Sequence, residues 1–231
     1  MKSSPLKAEN LIRNTIMKKL YLPIWLCLLS LIVIFSCAVS PKIQENPSMA
    51  TVPASRIPER PARPPIPEYI MGKGIILPEN MAVFLLNANY VVDRDFIENL
   101  AFLYTEEAEI EGVNHDVAFT QMCLETGYLS FCGLVTPDMN NFCGLGAIGP
   151  GQNGERFPDP RTGVRAHIQH LKVYATDAPL KQELVDPRYR YVRPGSSPSI
   201  KGLTGTWAVD RNYAEKINSI MERLYTFAFG Y

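Results

Sequence analysis

The sequence predicts a mainly α domain with one small β-hairpin lobe, set behind an export signal and a proline-rich linker. Three observations carry that prediction. Five stretches between residues 79 and 225 repeat apolar side chains at helical spacing, most of them with a capping residue at one end; apolar–polar alternation is strong nowhere; and a short hairpin fits only the Gly-rich stretch from Gly144 to Phe157. The chain has 231 residues, 46% of them hydrophobic, and a formal net charge of zero. There is room for one moderate domain plus appendages, and the bulk charge points neither to nucleic acid nor to an acidic surface.

At the start, Lys18 and Lys19 precede an apolar run from Leu20 to Phe35 that ends at Ser36 and Cys37. A charged beginning, an apolar middle and a small residue at the cut describe a secretory signal. The run is 16 residues long with Pro23 near its start, which is short for a span of about 20. Met17 looks like the natural first residue. Cys37 directly after Ser36 resembles a bacterial lipoprotein signal, which implies a lipidated Cys37 and an exported protein held at a membrane of the cell envelope. Phe35 is bulkier than that pattern prefers. From Ser40 to Pro67 there are eight prolines and few large apolar residues, a composition suited to an extended spacer. The expected division is signal peptide 1–36, lipidated cysteine and disordered linker 37–68, and a folded domain 69–231.

Within that domain, Glu79 to Asn89 reads as the first helix. Asp93 to Glu111 is the second, with Asp93 as N-cap, apolar positions at Phe96, Ile97, Leu100, Leu103 and Tyr104, and Gly112 as the stop. Its acidic group, Glu106, Glu107, Glu109 and Glu111, reads as a solvated face, with no His or Cys at ligand spacing. Asn114 caps a third helix, and Asp116 puts charge in its favourable first turn. Val117 to Leu124 is mostly apolar, so this helix is expected to be buried on several sides. Val117, Ala118, Gln121, Met122 and Glu125 share one face, and Gly127 supplies the C-terminal stop. Glu125 therefore leaves an apolar stripe near the negative end of the helix dipole. Both effects raise a carboxyl pKa, as a general acid near neutral pH requires. The bland alternative is a last-turn carboxylate that has swung into water.

A long loop follows to Asp159. Thr162 to Ala175 is a fourth helix, with Val164, Ile168 and Leu171 inward, and Pro187 to Gly205 is irregular. Asn212 to Tyr225 is the last helix, with Ile217, Ile220, Met221 and Leu224 inward. His167 and His170 stand i, i+3 on the fourth helix without a third metal ligand, which favours interhelical or surface roles. His115 reads as a surface residue of the first turn.

Four phrases in order then carry a resemblance. Leu124–Glu125–Thr126–Gly127 ends a helix in glutamate; Asn140, Asn141, Phe142 and Gly144 follow; then Arg161 to Arg165, and Asp210 to Ile217 with Tyr213 inside it. Over roughly residues 92–224 the chain resembles the bacterial peptidoglycan glucosaminidases of glycoside hydrolase family 73. The resemblance implies a lysozyme-like helical fold and Glu125 as the catalytic acid. It also implies a sugar site shaped by Asn140, Asn141, Phe142, Gly144 and Tyr213, with Tyr213 counted among the catalytic residues because it also stabilises charge. Trp207 either stacks on a sugar or fills the core. A second catalytic carboxylate is sought among Glu155, Asp159 and Asp186. Glu155, in the Gly-rich loop, is the expected base, or else a solvated loop residue. A base of an inverting mechanism would stand about 6.5–9.5 Å from the acid; otherwise the substrate's own acetamido group could attack.

Of the cysteines outside the signal, Cys123 reads as a core thiol, and Cys132 and Cys143 are expected to close the loop between them with a disulfide, which an oxidising compartment permits. The run from Arg188 to Arg193 reads as groove wall or packing. Taken together, the expectation is a monomeric hydrolase without metal or cofactor, anchored through its N-terminal lipid. It would cleave the β-1,4 bond after N-acetylglucosamine in peptidoglycan strands. Two alternatives remain open: a muramidase or lytic transglycosylase of lysozyme-like fold, and a non-catalytic peptidoglycan-binding lipoprotein.

Overall fold

A computed structural model describes residues 62–149 and 151–231. The signal peptide, Cys37 and most of the linker lie outside these residues. Among the described residues five α-helices and one two-stranded sheet form the domain: α1 (Pro78–Ala88), α2 (Arg94–Glu111), α3 (His115–Glu125), β1 (Ala147–Gly149), β2 (Gln152–Asn153), α4 (Pro160–Ala175) and α5 (Tyr213–Phe229). None of these helices is long and apolar enough to cross a membrane.

Helix starts follow local chemistry. The Asp93 carboxylate accepts from Phe96 N at 2.9 Å, Asn114 Oδ1 from Asp116 N at 3.0 Å, and Asp159 Oδ1 from Thr162 N at 2.9 Å. Each satisfies an amide that the helix itself leaves unpaired. α4 begins two residues earlier than expected because Pro160, with its preset φ and missing N–H, is tolerated at the first helical position. α5 runs on to Phe229 and stops at Gly230, whose φ of 70° is left-handed.

α3 is the buried centre. Every residue from His115 to Cys123 is buried, and α2, α4 and α5 pack around the helix. His115, expected at the surface, lies inside: its Nε2 is 3.0 Å from Ile76 O. Behind it Asp116 accepts from Ile75 N (2.9 Å), Ile76 N (3.2 Å) and the Tyr225 hydroxyl (2.7 Å), tying the segment before α1 and the end of α5 to this helix. The ordered domain also begins before Tyr69. Ile66 packs against the core, and Arg63 pairs with Glu222 at 2.5 Å.

The acidic face expected on α2 is solvated only in part, at exposed Glu109 and half-exposed Glu106. Glu107 and Glu111 are buried. Glu107 accepts from Arg161 and Arg165 at 2.9 Å each, and from Gln182 at 2.8 Å. Glu111 pairs with buried Lys172 at 2.7 Å and accepts the backbone amides of Lys181 and Gln182. α4 and the loop after it are thus pinned to α2 by charge.

The hairpin expected between Gly144 and Phe157 is present, pairing Ala147 with Asn153 and Gly149 with Gln152. A contact with α4 positions the segment before it. A Cβ placed on Gly163 would stand 1.8 Å from the backbone oxygen of Asn140, so only glycine allows this approach.

Candidate active site

α3 ends in Glu125, and two of its neighbours, Trp207 and Gly144, line a cleft of about 250 Å³. The cleft is lined in part by Gly144, His170, Tyr174, Arg188, Tyr191 and Trp207. The carboxylate meets two neutral donors on one oxygen: the Tyr213 hydroxyl, and the Trp207 indole N–H at 3.0 Å, both to Oε1. The other oxygen, Oε2, lies on the side of Gly144, 3.9 Å from where a Cβ on that residue would stand, and it reaches solvent, since among the described residues no buried side-chain oxygen lacks a partner. Burial raises the Glu125 pKa, and the hydrogen bonds from Tyr213 and Trp207 only partly offset that. A recessed carboxyl held between neutral partners can keep its proton, and the oxygen that points outward can deliver it.

Tyr213 reaches Glu125 from the first turn of α5, where the backbone of Asp210 and the Thr204 side chain hold the helix start. Its hydroxyl also accepts from Gln121 Nε2 at 2.8 Å. Trp207 is half-buried and lines the cleft, so it does more than fill the core. Its ring packs against His167, His170 and Tyr174 (centroids at 5.9, 5.0 and 5.5 Å), and its N–H serves the acid.

The Asn140–Gly144 phrase divides by role. Asn141 is fully buried; its amide donates to Leu145 O (2.9 Å) and Glu155 O (3.0 Å), while its oxygen accepts from the amides of Cys143 and Leu145. All its polar groups are spent on the loop, which corrects the expectation that it binds substrate. Phe142 is buried too, tilted against Phe96 at 6.5 Å, and belongs to the core. Asn140 takes a left-handed φ of 50° and donates to Phe157 O at 3.0 Å, so it shapes the turn. Gly144 remains as the residue beside the acid, with a φ of 67° that favours glycine.

The three candidates for the second carboxylate also separate. Asp159 caps α4 through Thr162. Asp186 is buried against His170, with Oδ2 2.7 Å from Nδ1. Glu155 is partly exposed and engaged most loosely, with Oε1 3.9 Å from Arg188 Nη1 and resting over Gly146. The His170–Asp186 pair, of which His170 lines the cleft, was missed in the sequence, where the 15 residues between them hide it.

The expected disulfide is not formed. Cys132 is an exposed free thiol near Ser130 O, whereas Cys143 is a buried free thiol between Glu125 and Asp186. Burial raises the Cys143 pKa and then both carboxylates add to it, so the thiol stays neutral. Cys123 is buried and neutral for the same first reason. Among the described residues no His, Cys, Asp and Glu cluster could hold a metal ion.

Comparison with known proteins adds identity to this geometry. A family model described as glucosaminidase, mannosyl-glycoprotein endo-β-N-acetylglucosaminidase, matches residues 101–226. An uncharacterized protein of Borreliella burgdorferi is 38% identical over 159 residues, which cover 69% of this chain and 78% of that one. The solved structure of S. aureus autolysin E in complex with the muropeptide NAM-L-Ala-D-iGlu is similar over 70% of this chain and 74% of its own, at 15% identity and a TM-score of 0.44. The matched segment holds Glu125, Gly144, Trp207 and Tyr213, and the chain belongs to the glucosaminidase family of glycoside hydrolases.

Proposed function

We propose that this protein hydrolyses the β-1,4 bond on the reducing side of N-acetylglucosamine in peptidoglycan, with Glu125 as the general acid. The observation that carries the reading is the asymmetry of the Glu125 carboxyl: two neutral donors on Oε1, and an Oε2 that no side chain occupies, on the side of the cleft residue Gly144. Oε2–H would protonate the leaving glycosidic oxygen as the C1–O bond breaks. The negative charge left on the carboxylate would meet the Tyr213 and Trp207 donors already in place, a stabilisation that needs no reorganisation. Water then forms the new bond to C1. In one route Glu155 takes its proton, which suits its partly exposed position near Arg188. In the other, the acetamido oxygen of the substrate attacks C1 first and water opens the resulting ring. Export through the signal, and a lipid on Cys37, would hold the enzyme where this polymer lies.

The test is a digest of purified peptidoglycan by the full chain beside its Glu125→Gln variant, followed by borohydride reduction and mass spectrometry. Reduced N-acetylglucosamine ends are expected, with a rate loss of about 10²–10⁴ in the variant, the range for removing a general acid. Reduced muramic ends would instead make it a muramidase, and anhydro-muramic ends a transglycosylase. A chain that binds the wall and releases nothing would overturn the catalytic reading.

A further inference from the structure

Behind the carboxylate lies a file of buried polar groups that never reaches the cleft. It runs Glu125 Oε1, Tyr213 Oη, Gln121 side-chain amide, His167 ring, Tyr104 Oη, with the last three contacts at 2.8, 3.0 and 2.8 Å. Gln121, His167 and Tyr104 are each fully buried. They lie on α3, α4 and α2, so three helices contribute one hydrogen bond after another to a group on a fourth.

We propose that Tyr104, His167 and Gln121 form a positioning relay that fixes the direction of the Tyr213 hydroxyl and so keeps the reactive proton of Glu125 on Oε2. The proposal rests on Glu125 acting as the acid. Its logic is one of donors and acceptors. Gln121 Nε2 donates to Tyr213 Oη, so the Tyr213 proton is free to point only at Glu125 Oε1. The Gln121 oxygen faces His167 Nε2, which must therefore carry the ring proton. Nδ1 of a neutral imidazole is then an acceptor, and Tyr104 must donate to it. The ring is neutral because burial pushes the His167 pKa down to about 3.

A reversed file is conceivable from the same atoms. The amide would turn over, the ring proton would move to Nδ1, and Tyr213 would donate to Gln121 while accepting from Glu125. The carboxyl proton would then sit on Oε1, away from the cleft, where it cannot reach a glycosidic oxygen. Two features oppose that state. The Trp207 indole can only donate, and it is aimed at Oε1. At the far end, the Tyr104 hydroxyl touches no acceptor but His167 among the described residues, so in the reversed file its own proton would be buried without a partner there. Tyr104 thus fixes the direction of the file from its far end. The ionisable side chains that face Glu125, Tyr213 from α5 and Cys143 from the loop, are kept neutral chiefly by burial and do not compete.

The direct test is ¹⁵N NMR of the full chain, which separates protonated from unprotonated ring nitrogens. Wild-type His167 is expected to carry its proton on Nε2, and a proton on Nδ1 would overturn the relay. The functional test is Tyr104→Phe, which removes one hydroxyl while keeping the ring. With the two directions near balance, kcat should fall at least about twofold at unchanged KM. The alkaline limb of the kcat profile should move to higher pH, because a carboxyl that donates to Tyr213 holds its proton more tightly. A merely structural tyrosine would lower Tm and leave both kcat and the limb in place, and that result would also sink the relay. Glu125→Gln run alongside keeps the two readings apart. If that variant stays active, the acid assignment fails; if it is dead while Tyr104→Phe is kinetically normal, the relay alone fails.

Discussion

Glu107 on α2 and Glu125 on α3 are both glutamates largely taken out of water, and the one that exposes no surface is the better anion. Burial alone would raise Glu107, yet hydrogen bonds from Arg165, Gln182 and Arg161 together outweigh it and hold the carboxyl below its usual range. Glu125 keeps some exposure, yet burial raises its pKa, because its partners Tyr213 and Trp207 carry no charge with which to offset it. The lesson is that loss of water does not by itself make a general acid. What matters is whether the pocket that removes water also supplies a cation. This domain answers the question both ways within two adjacent helices, using one carboxyl as a fastener and the other, in the proposed reaction, as a proton source.

Removing the fastener should give the largest loss of stability. Glu107→Ala leaves Arg161 and Arg165 facing each other beside a vacated buried site. Breaking a buried ion pair costs roughly 3–5 kcal/mol, and here the lower end applies because both guanidiniums reach water. A Tm drop measured by calorimetry checks this. A loss below about 1 kcal/mol would mean that the pair is as weak as a surface bridge and that the contrast with Glu125 is overdrawn.

A smaller effect, about 1–3 kcal/mol, is expected from Gly163→Ala. Its methyl group would meet Asn140 O at 1.8 Å, a backbone atom that cannot swing aside. The change should push α4 away from the loop that carries Gly144, so kcat/KM should fall together with Tm. Lost stability with full activity at low temperature would show that the cleft does not depend on this contact.

The same contrast explains what was legible in the sequence. Caps and apolar spacing are local, so Asp93, Asn114 and Gly127 announced the helices around them and placed Glu125 at the end of a buried one. Partners distant in the chain were not legible. Nothing in the run Glu106 to Glu111 reveals that Arg161 lies 54 residues ahead of Glu107 and Lys172 61 residues ahead of Glu111. A charge run without its cations looks solvated. Asn141 misled for a related reason: an amide beside glycines can bind a sugar or clamp its own turn, and only the folded loop shows that Leu145 and Glu155 consume it. Trp207 likewise gave no sign that its N–H would serve Glu125.

The finest test of the comparison is a pair of isosteric changes whose stability effects should have opposite signs. Glu107 has a lowered folded-state pKa, so its contribution is present above the unfolded value of 4.5 and is lost as pH falls through the folded one. Glu107→Gln should therefore lower Tm at pH 7, with the deficit shrinking in acid. Glu125 has a raised folded-state pKa, so the native protein holds its proton more tightly than the unfolded chain does. Its penalty appears as pH rises through 4.5 and is complete above the folded value. Glu125→Gln should then be slightly more stable than the wild type at pH 7 and equal to it near pH 4, since an amide oxygen still accepts from Tyr213 and Trp207 without carrying charge. Thermal melts of both variants at pH 4 and pH 7 decide the matter. If Glu125→Gln is less stable at neutral pH, the ionised carboxylate is stabilised where it sits, and a pocket that welcomes the anion is a poor reservoir for the proton that the proposed chemistry requires.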